Sequence, residues 1–160
     1  MTLSNLRPAH AADAAAISAL IHSVSHYFTL RADGLGAEPF FASITPDAIL
    51  GYLQSTQFNY WVICDNNAKI IGTIALRDNT HLYHFFVLSE AHGQGHGKRL
   101  WQHARDHALA HGNSGAFTVN ASLFARDLYT RFGFVACDEV QETHGLRFLP
   151  MRLDLNAKEN

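Results

Sequence analysis

Apolar residues first follow a helical rhythm. Ile17, Leu20, Ile21 and Val24 recur at intervals of three and four in an alanine-rich stretch, which predicts a helix over Ala11–Phe28. Leu3–Arg7 ahead of it reads as a short strand. The rhythm stops over Thr29–Ser43, where Gly34, Gly36 and Pro39 interrupt, so a long loop is expected. Thr45-Pro46-Asp47 then reads as a helix start: a cap, a proline in the first turn, and an acid near the positive helix end. This second helix runs to about Gln54.

Beyond it the period changes. Asn59–Asp65 and Lys69–Arg77 are β-rich and separated by the turn Asn66-Asn67-Ala68, and Asp78-Asn79 turns the chain into a third strand, Thr80–Leu88. Gly97–His111 is helical and ended by Gly112-Asn113. Ala116–Asn120 is a short strand, and Ser122–Phe132 a helix closed by Gly133. Phe134–Gln141 and Leu146–Leu155 complete the order as strands, the latter ended or edged by Pro150. The alternation β α α β β β α β α β β predicts a mixed α/β sheet in one domain over residues 1–155, with 156–160 as a tail.

Composition narrows the picture. A chain of 160 residues with 48% hydrophobic and 16% charged residues suits one domain with a real core. A net charge of −2 gives no electrostatic footprint for nucleic acid. No acidic cluster marks a polyamine site either. Cys64 and Cys137 are too few for a disulfide framework and form no CxxC pair, so reduced thiols are expected. The N-terminus lacks a basic segment followed by an apolar run, and no stretch is long enough to span a bilayer. A soluble, cytoplasmic protein without a membrane partner is expected. His103, His107 and His111 share a helix face at zinc-ligand spacing, but H-E-x-x-H is absent. They read as a solvated shoulder, and no metal is expected.

The densest chemistry is HFFVLSEAHGQGHGKRLW, His84–Trp101. Three glycines in five residues are a poor way to begin a helix unless bare backbone is needed there. A Walker loop fails because Arg99 follows Gly97-Lys98 where Ser or Thr belongs. The dinucleotide fingerprint fails on spacing as well. What remains is strand, glycine turn and helix start with Lys98 and Arg99 in the first turn. That arrangement presents amides and a positive dipole end to an anion such as a diphosphate.

A second stretch, TVNASLFARDLYTRFGF (Thr118–Phe134), adds a strand end, a polar break, and Tyr129 four residues before Gly133-Phe134. Together the two stretches resemble the GNAT superfamily of N-acetyltransferases. The loop His92-Gly93-Gln94-Gly95-His96-Gly97 matches the family pattern Q/R-x-x-G-x-G/A, with His92 where Gln or Arg is usual.

The resemblance covers almost the whole chain. It implies a mixed, mostly antiparallel sheet of six to seven strands, with splayed parallel strands in the middle and about four helices around it. It implies acetyl-CoA as co-substrate, its pantetheine arm along the main chain of Phe85, Phe86 and Val87 and its diphosphate on the amides of Gly93–Lys98. It implies Tyr129 as proton donor to the CoA thiolate, and a small-molecule or peptide amine as acceptor.

His81 and then His84 are the candidate general bases, although either also fits as a plain sheet histidine. By strict alternation they face opposite sides, with His81 beside Tyr83 and Phe85. Asn120 and Ser122 are candidates for the pantetheine or a catalytic water, with a helix cap as the other reading of Ser122. Phe40, Phe41 and Tyr27 either shape the acceptor pocket or pin the loop. The family resemblance allows a homodimer. A non-catalytic acetyl-CoA-binding module of the same fold is the alternative function.

Overall fold

The computed structural model describes residues 5–156. Strand β1 (Asn5–Pro8) pairs with β2 (Phe58–Cys64), β2 with β3 (Ile70–Arg77), and β3 with β4 (His81–Val87), all antiparallel. The β2–β3 turn is fixed by Asp65, whose side chain accepts from the amides of Asn67 and Lys69, while Ala68 takes a positive φ of 63°. A second block is built on β8 (Leu146–Asp154). It pairs with all of β5 (Ala116–Ala121) and with the short strands β6 (Val135–Ala136) and β7 (Gln141–Thr143). The blocks meet only where β4 and β5 run parallel, giving the order β1-β2-β3-β4-β5-β8-β6 with β7 on β8.

Helix α1 (Ala14–Val24) buries the stripe seen in the sequence, Ile17, Leu20, Ile21 and Val24. It packs against α3 (Pro46–Leu53) on one face of the sheet, where the Thr45 hydroxyl caps α3 by accepting from the Ala48 amide. Helix α4 (His96–Ala110) lies on the other face and bridges both blocks. Leu100 packs over Gly72 of β3, where a Cβ would stand 3.1 Å from it. Trp101 packs edge-on against Phe117 of β5 and Phe134. His103 and His107 meet the Trp61 ring edge-on, so these two cover an aromatic core residue, and among the described residues no His/Cys/Asp/Glu cluster suits a metal ion.

Five expectations change. The supposed loop Thr29–Ser43 contains helix α2 (Glu38–Ala42), five residues long and too short to display a period. The helix expected from Ser122 begins at Arg126 as α5 (Arg126–Arg131), because Ser122 ties off a separate turn by accepting from the Ala125 amide. The strand expected over Phe134–Gln141 is broken by Asp138, whose carboxylate takes the Glu139 amide and the Gln141 side chain and so competes with the ladder.

Pro150 neither ends β8 nor lies at an edge. Its carbonyl accepts from Cys137 on the β6 side, so its missing N–H also faces that side, and the pairing with β5 is intact. The ends of the long first helix are 3₁₀ turns at Ala11–Asp13 and Ser25–Tyr27. Leu3 and Ser4 of the first expected strand, and 157–160 of the tail, lie outside the described residues.

The β7–β8 turn is docked onto the segment after α1. Leu30 donates to the Gly145 carbonyl and Arg147 donates to that of Phe28. Gly145 has φ 75°, and a Cβ there would stand 2.5 Å from the carbonyl carbon of Gly36. Backbone cannot swing aside as a side chain can. Gly145→Ala therefore combines left-handed strain with overpacking and is expected to cost about 2–4 kcal/mol, read as a lower midpoint in thermal or urea melts.

Candidate active site

The two blocks share two rungs, His81 with Thr118 and Leu82 with Val119, and then separate. The cause is local. The β3–β4 register shifts between Ala75 and Leu76, leaving Tyr83 as an extra residue in β4 immediately after the last shared rung. A bulge bends its strand and sharpens its twist, so β4 turns away while β5 is held straight by β8. The gap opens into a cleft of about 1070 Å³.

At one end of the cleft the chain leaves β4 and turns into α4. Gly93 and Gly95 have φ of 80° and 83°, and a Cβ on either would meet nothing within 4 Å. Glycine is needed there for the backbone angle, and the space it leaves open faces solvent. Gly97 differs: it sits in the first turn of α4 against the Phe85 ring, 3.5 Å from the position of a Cβ. Among the described residues no side chain caps α4, so the first-turn amides of Gly97 and Lys98 stay available to an anion. What sets this start apart is the glycine turn that leads into it, since α1, α2 and α5 also begin without a side-chain cap and only α3 has one, from Thr45.

Gln94 lies outside the lining of the cleft; its side-chain carbonyl oxygen is 3.2 Å from Nε2 of buried His96. His92 Nε2 donates to the Val87 carbonyl at 2.8 Å, tying the loop to the end of β4. Leu88 donates to Ile71 of β3, so by alternation the main-chain groups of Val87 and Phe85 face the cleft while those of Phe86 face β3. Of the three residues expected along the pantetheine, only Phe85 and Val87 have main-chain groups facing the gap, and the Val87 carbonyl already has His92.

The bulge also reassigns faces. His81 pairs with Arg77 and His84 with Ala75, two residues apart on β3, so both histidines lie on the same face. This corrects the opposite-face expectation, which assumed unbroken alternation. Phe85 turns to the other face, against Tyr129 and Phe132, and does not share a side with His81.

His84 is buried, with Nδ1 2.7 Å from the Tyr60 hydroxyl, and burial lowers its pKa to about 3. His81 is partly buried, with Nδ1 2.8 Å from Thr118 Oγ1. Burial and, secondarily, the charge of Arg77 lower its pKa. Tyr129 is 5% exposed and borders the cleft, its hydroxyl has no hydrogen-bond partner among the described residues, and burial raises its pKa. Asn120 is exposed on the β5 edge of the cleft, whereas Ser122 is engaged by the Ala125 amide.

Two features escaped sequence reading. Arg77 lines the cleft beside His81 and stands over the Tyr83 ring at 5.5 Å, a placement that depends on ladder register. Tyr27 stacks on Phe124 at 4.0 Å and lies 6.0 Å from the His92 ring, bridging segments that follow α1, β5 and β4. Phe40 contacts Phe28 across the cleft wall, and Phe41 stacks on His22.

Residues 24–155 match the sequence model of the acetyltransferase (GNAT) domain. A search of curated protein sequences finds no match. Among solved structures, a GCN5-related N-acetyltransferase from Rhodopseudomonas palustris superposes with a TM-score of 0.77 at 22% identity, over 97% of this chain and 98% of the other. The PaiA N-acetyltransferase of Thermoplasma acidophilum, in complex with coenzyme A, gives 0.72 at 16% identity over 94% and 98%. A spermidine N-acetyltransferase from Vibrio cholerae gives 0.67 at 17% identity over 96% of each chain. At these identities the likeness is one of fold.

The buried His84 makes stability depend on acid. Its folded pKa of about 3 lies below the ordinary 6.5, so the unfolded chain takes up this proton first as pH falls. The contribution is complete above pH 6.5 and lost progressively toward pH 3, at up to about 1.4 kcal/mol per pH unit. Urea melts across this window are expected to show a shallower dependence on pH for His84→Gln than for the parent.

Proposed function

Given that this chain belongs to the GNAT acetyltransferase family, whose fold binds acyl-CoA, we propose that it transfers the acetyl group of acetyl-CoA to a primary amine of a small molecule or peptide. The observation that carries this reading is the Tyr129 hydroxyl: without a partner among the described residues, bordering the cleft, and on the face of the sheet that also carries the open start of α4. A module that only bound the cofactor would have no use for a proton donor there.

The residues present suit the cofactor. The open positions at Gly93 and Gly95 leave room for phosphate oxygens at the amides leading to Lys98. The unpaired edge of β4 past Leu82 offers Phe85 and Val87 main-chain groups to the pantetheine arm, in the manner of an added strand. Asn120 on the opposite edge can bond the same arm. When bound, acetyl-CoA supplies an acyl group activated as a thioester.

The protein's own work is then proton traffic and orientation. An alkyl ammonium has a pKa near 10.4, so about one molecule in 10³ is neutral at pH 7 and a base must take its proton. We assign this to His81. In the tautomer whose Nδ1–H donates to Thr118 Oγ1, Nε2 carries the free lone pair. His84, held neutral to about pH 3 and bonded to Tyr60, is too weak a base and supports the wall instead. As the C–N bond forms and the C–S bond breaks, Tyr129 gives its proton to sulfur. The amine loses two protons, one to solvent through His81 and one that restores Tyr129, so the products are the amide and CoA thiol.

Acetyl-CoA at 100 times its Kd is expected to stabilise the chain by about 2.7 kcal/mol in a thermal-shift assay, and amine-dependent thiol release is expected to follow. Stabilisation without release for any amine would favour a binding module, and no stabilisation would overturn the reading. Tyr129→Phe is expected to lower kcat by about 10²-fold or more while keeping the acetyl-CoA shift, since its hydroxyl holds nothing in the fold. The kcat/KM profile of the parent is expected to fall on its acid side with a midpoint below 6.5, and His81→Asn to remove that limb.

A further inference from the structure

The cleft has two unlike sides. Tyr129 and Phe85 stand on the face that packs α4 and α5. Through the splay, the other face lines the cleft with His81, Tyr83 and Phe86, and the Phe28 ring lies 5.6 Å from Phe86 and 5.1 Å from Phe40 in the same cleft. Its outer wall is the β7–β8 turn, held to Phe28 by the Arg147 amide.

The charges along this cleft are one-sided. Arg77, Lys98, Arg131 and Arg147 line it, and none of the lining residues is an Asp or Glu. Lys98 belongs to the α4 start and Arg131 to α5. Arg147 is held by Glu142 at 2.8 Å. Among the described residues Arg77 has only a loose pairing, 3.9 Å to the exposed Asp78, and its guanidinium lies over the Tyr83 ring. It is also the ladder partner of His81 on the same face. The tyrosine hydroxyls nearby are committed: Tyr83 donates to Tyr52, Tyr52 donates to the Ser43 carbonyl, and Tyr60 bonds His84.

Building on the acetyl-transfer reading, we propose that the acceptor is a monoamine with an aromatic body and one carboxylate, the chemistry of an aromatic α-amino acid, bound through its carboxylate to Arg77 with its amine beside His81. The Phe28–Phe40–Phe86 cluster, with its rings inclined at 76° and 39°, suits an aromatic ring, because such rings gain from edge and offset contacts beyond the area they bury. A guanidinium offers two parallel donors to a carboxylate, and one that is only loosely paired gives up little to receive it. A polyamine would bring several positive charges beside Arg77 with no lining carboxylate to receive them, and like charges brought together are penalised.

The arrangement links binding to chemistry. The positive charge of Arg77 lowers the proton affinity of His81. A substrate carboxylate on Arg77 cancels that charge, so the base gains strength only when an acceptor with the matching anion is in place.

The test is thiol release by the full chain with acetyl-CoA and three amines: L-phenylalanine, phenethylamine, which is the same body without the carboxylate, and spermidine. Phenylalanine is expected to exceed both others in kcat/KM by at least about ten-fold. Arg77→Met is expected to collapse its advantage over phenethylamine through KM, and Arg77→Lys to retain part of it. Calorimetry on the CoA-loaded protein reads the same preference without turnover, and absence of phenylalanine binding there overturns the proposal. Faster turnover of phenethylamine or spermidine, with acetyl-CoA still stabilising the chain, overturns this acceptor class and leaves the transfer reading standing. Loss of the acetyl-CoA shift itself removes both.

Discussion

A single extra residue, Tyr83, governs how the sheet is divided. Parallel pairing between β4 and β5 lasts two rungs and stops where the bulge begins. A continuous ladder there would close the cleft and satisfy the backbone groups of Phe85 and Val87 internally. The split is tolerated because each strand is anchored elsewhere: β4 along β3, β5 along β8, and both under α4, whose Leu100 and Trp101 reach opposite sides of the gap. The apex is pinned by polar contacts. The Asn113 side chain donates to the Asn79 and Ala116 carbonyls, and the Thr118 amide donates to that of Thr80.

From that division the chemistry sorts itself by face. The glycine turn, the open helix start and Tyr129 fall on the α4–α5 side. The bulge sends His81, Tyr83 and His84 together to the side of α1–α3. Burial then separates two histidines of similar sequence context. His84 sits behind the surface with Tyr60 and is held neutral, while His81 stays at the apex within reach of Arg77 and Thr118. Their different suitability as bases follows from environment, since the side chains are identical.

The β7–β8 turn completes the far wall through backbone alone. Gly145 approaches Gly36 so closely that Gly145 cannot carry a Cβ in the space between them. This contact fixes the segment carrying Phe28 against the strand pair, so a turn far away in the sequence shapes the cleft opposite the glycine loop.

Features written in consecutive residues were legible from the sequence. The α1 stripe, the Thr45-Pro46 start of α3, the Asn66–Ala68 turn, the glycine turn at Gly93–Gly95 and the stop at Gly133 each rest on local backbone preference or short-range periodicity. So did the two motifs that mark the family. The tertiary structure alone decided the bulge at Tyr83, the shared face of His81 and His84, the pairing of His92 with Val87, the passage of β8 through Pro150, and the arrival of Arg77 in the cleft. Each depends on register between strands or on contacts between distant segments. A shift of one residue in register exchanges the two faces of a strand without changing any local propensity. The sequence therefore identified which residues carry chemistry, and the packing of the two half-sheets determined which of them meet.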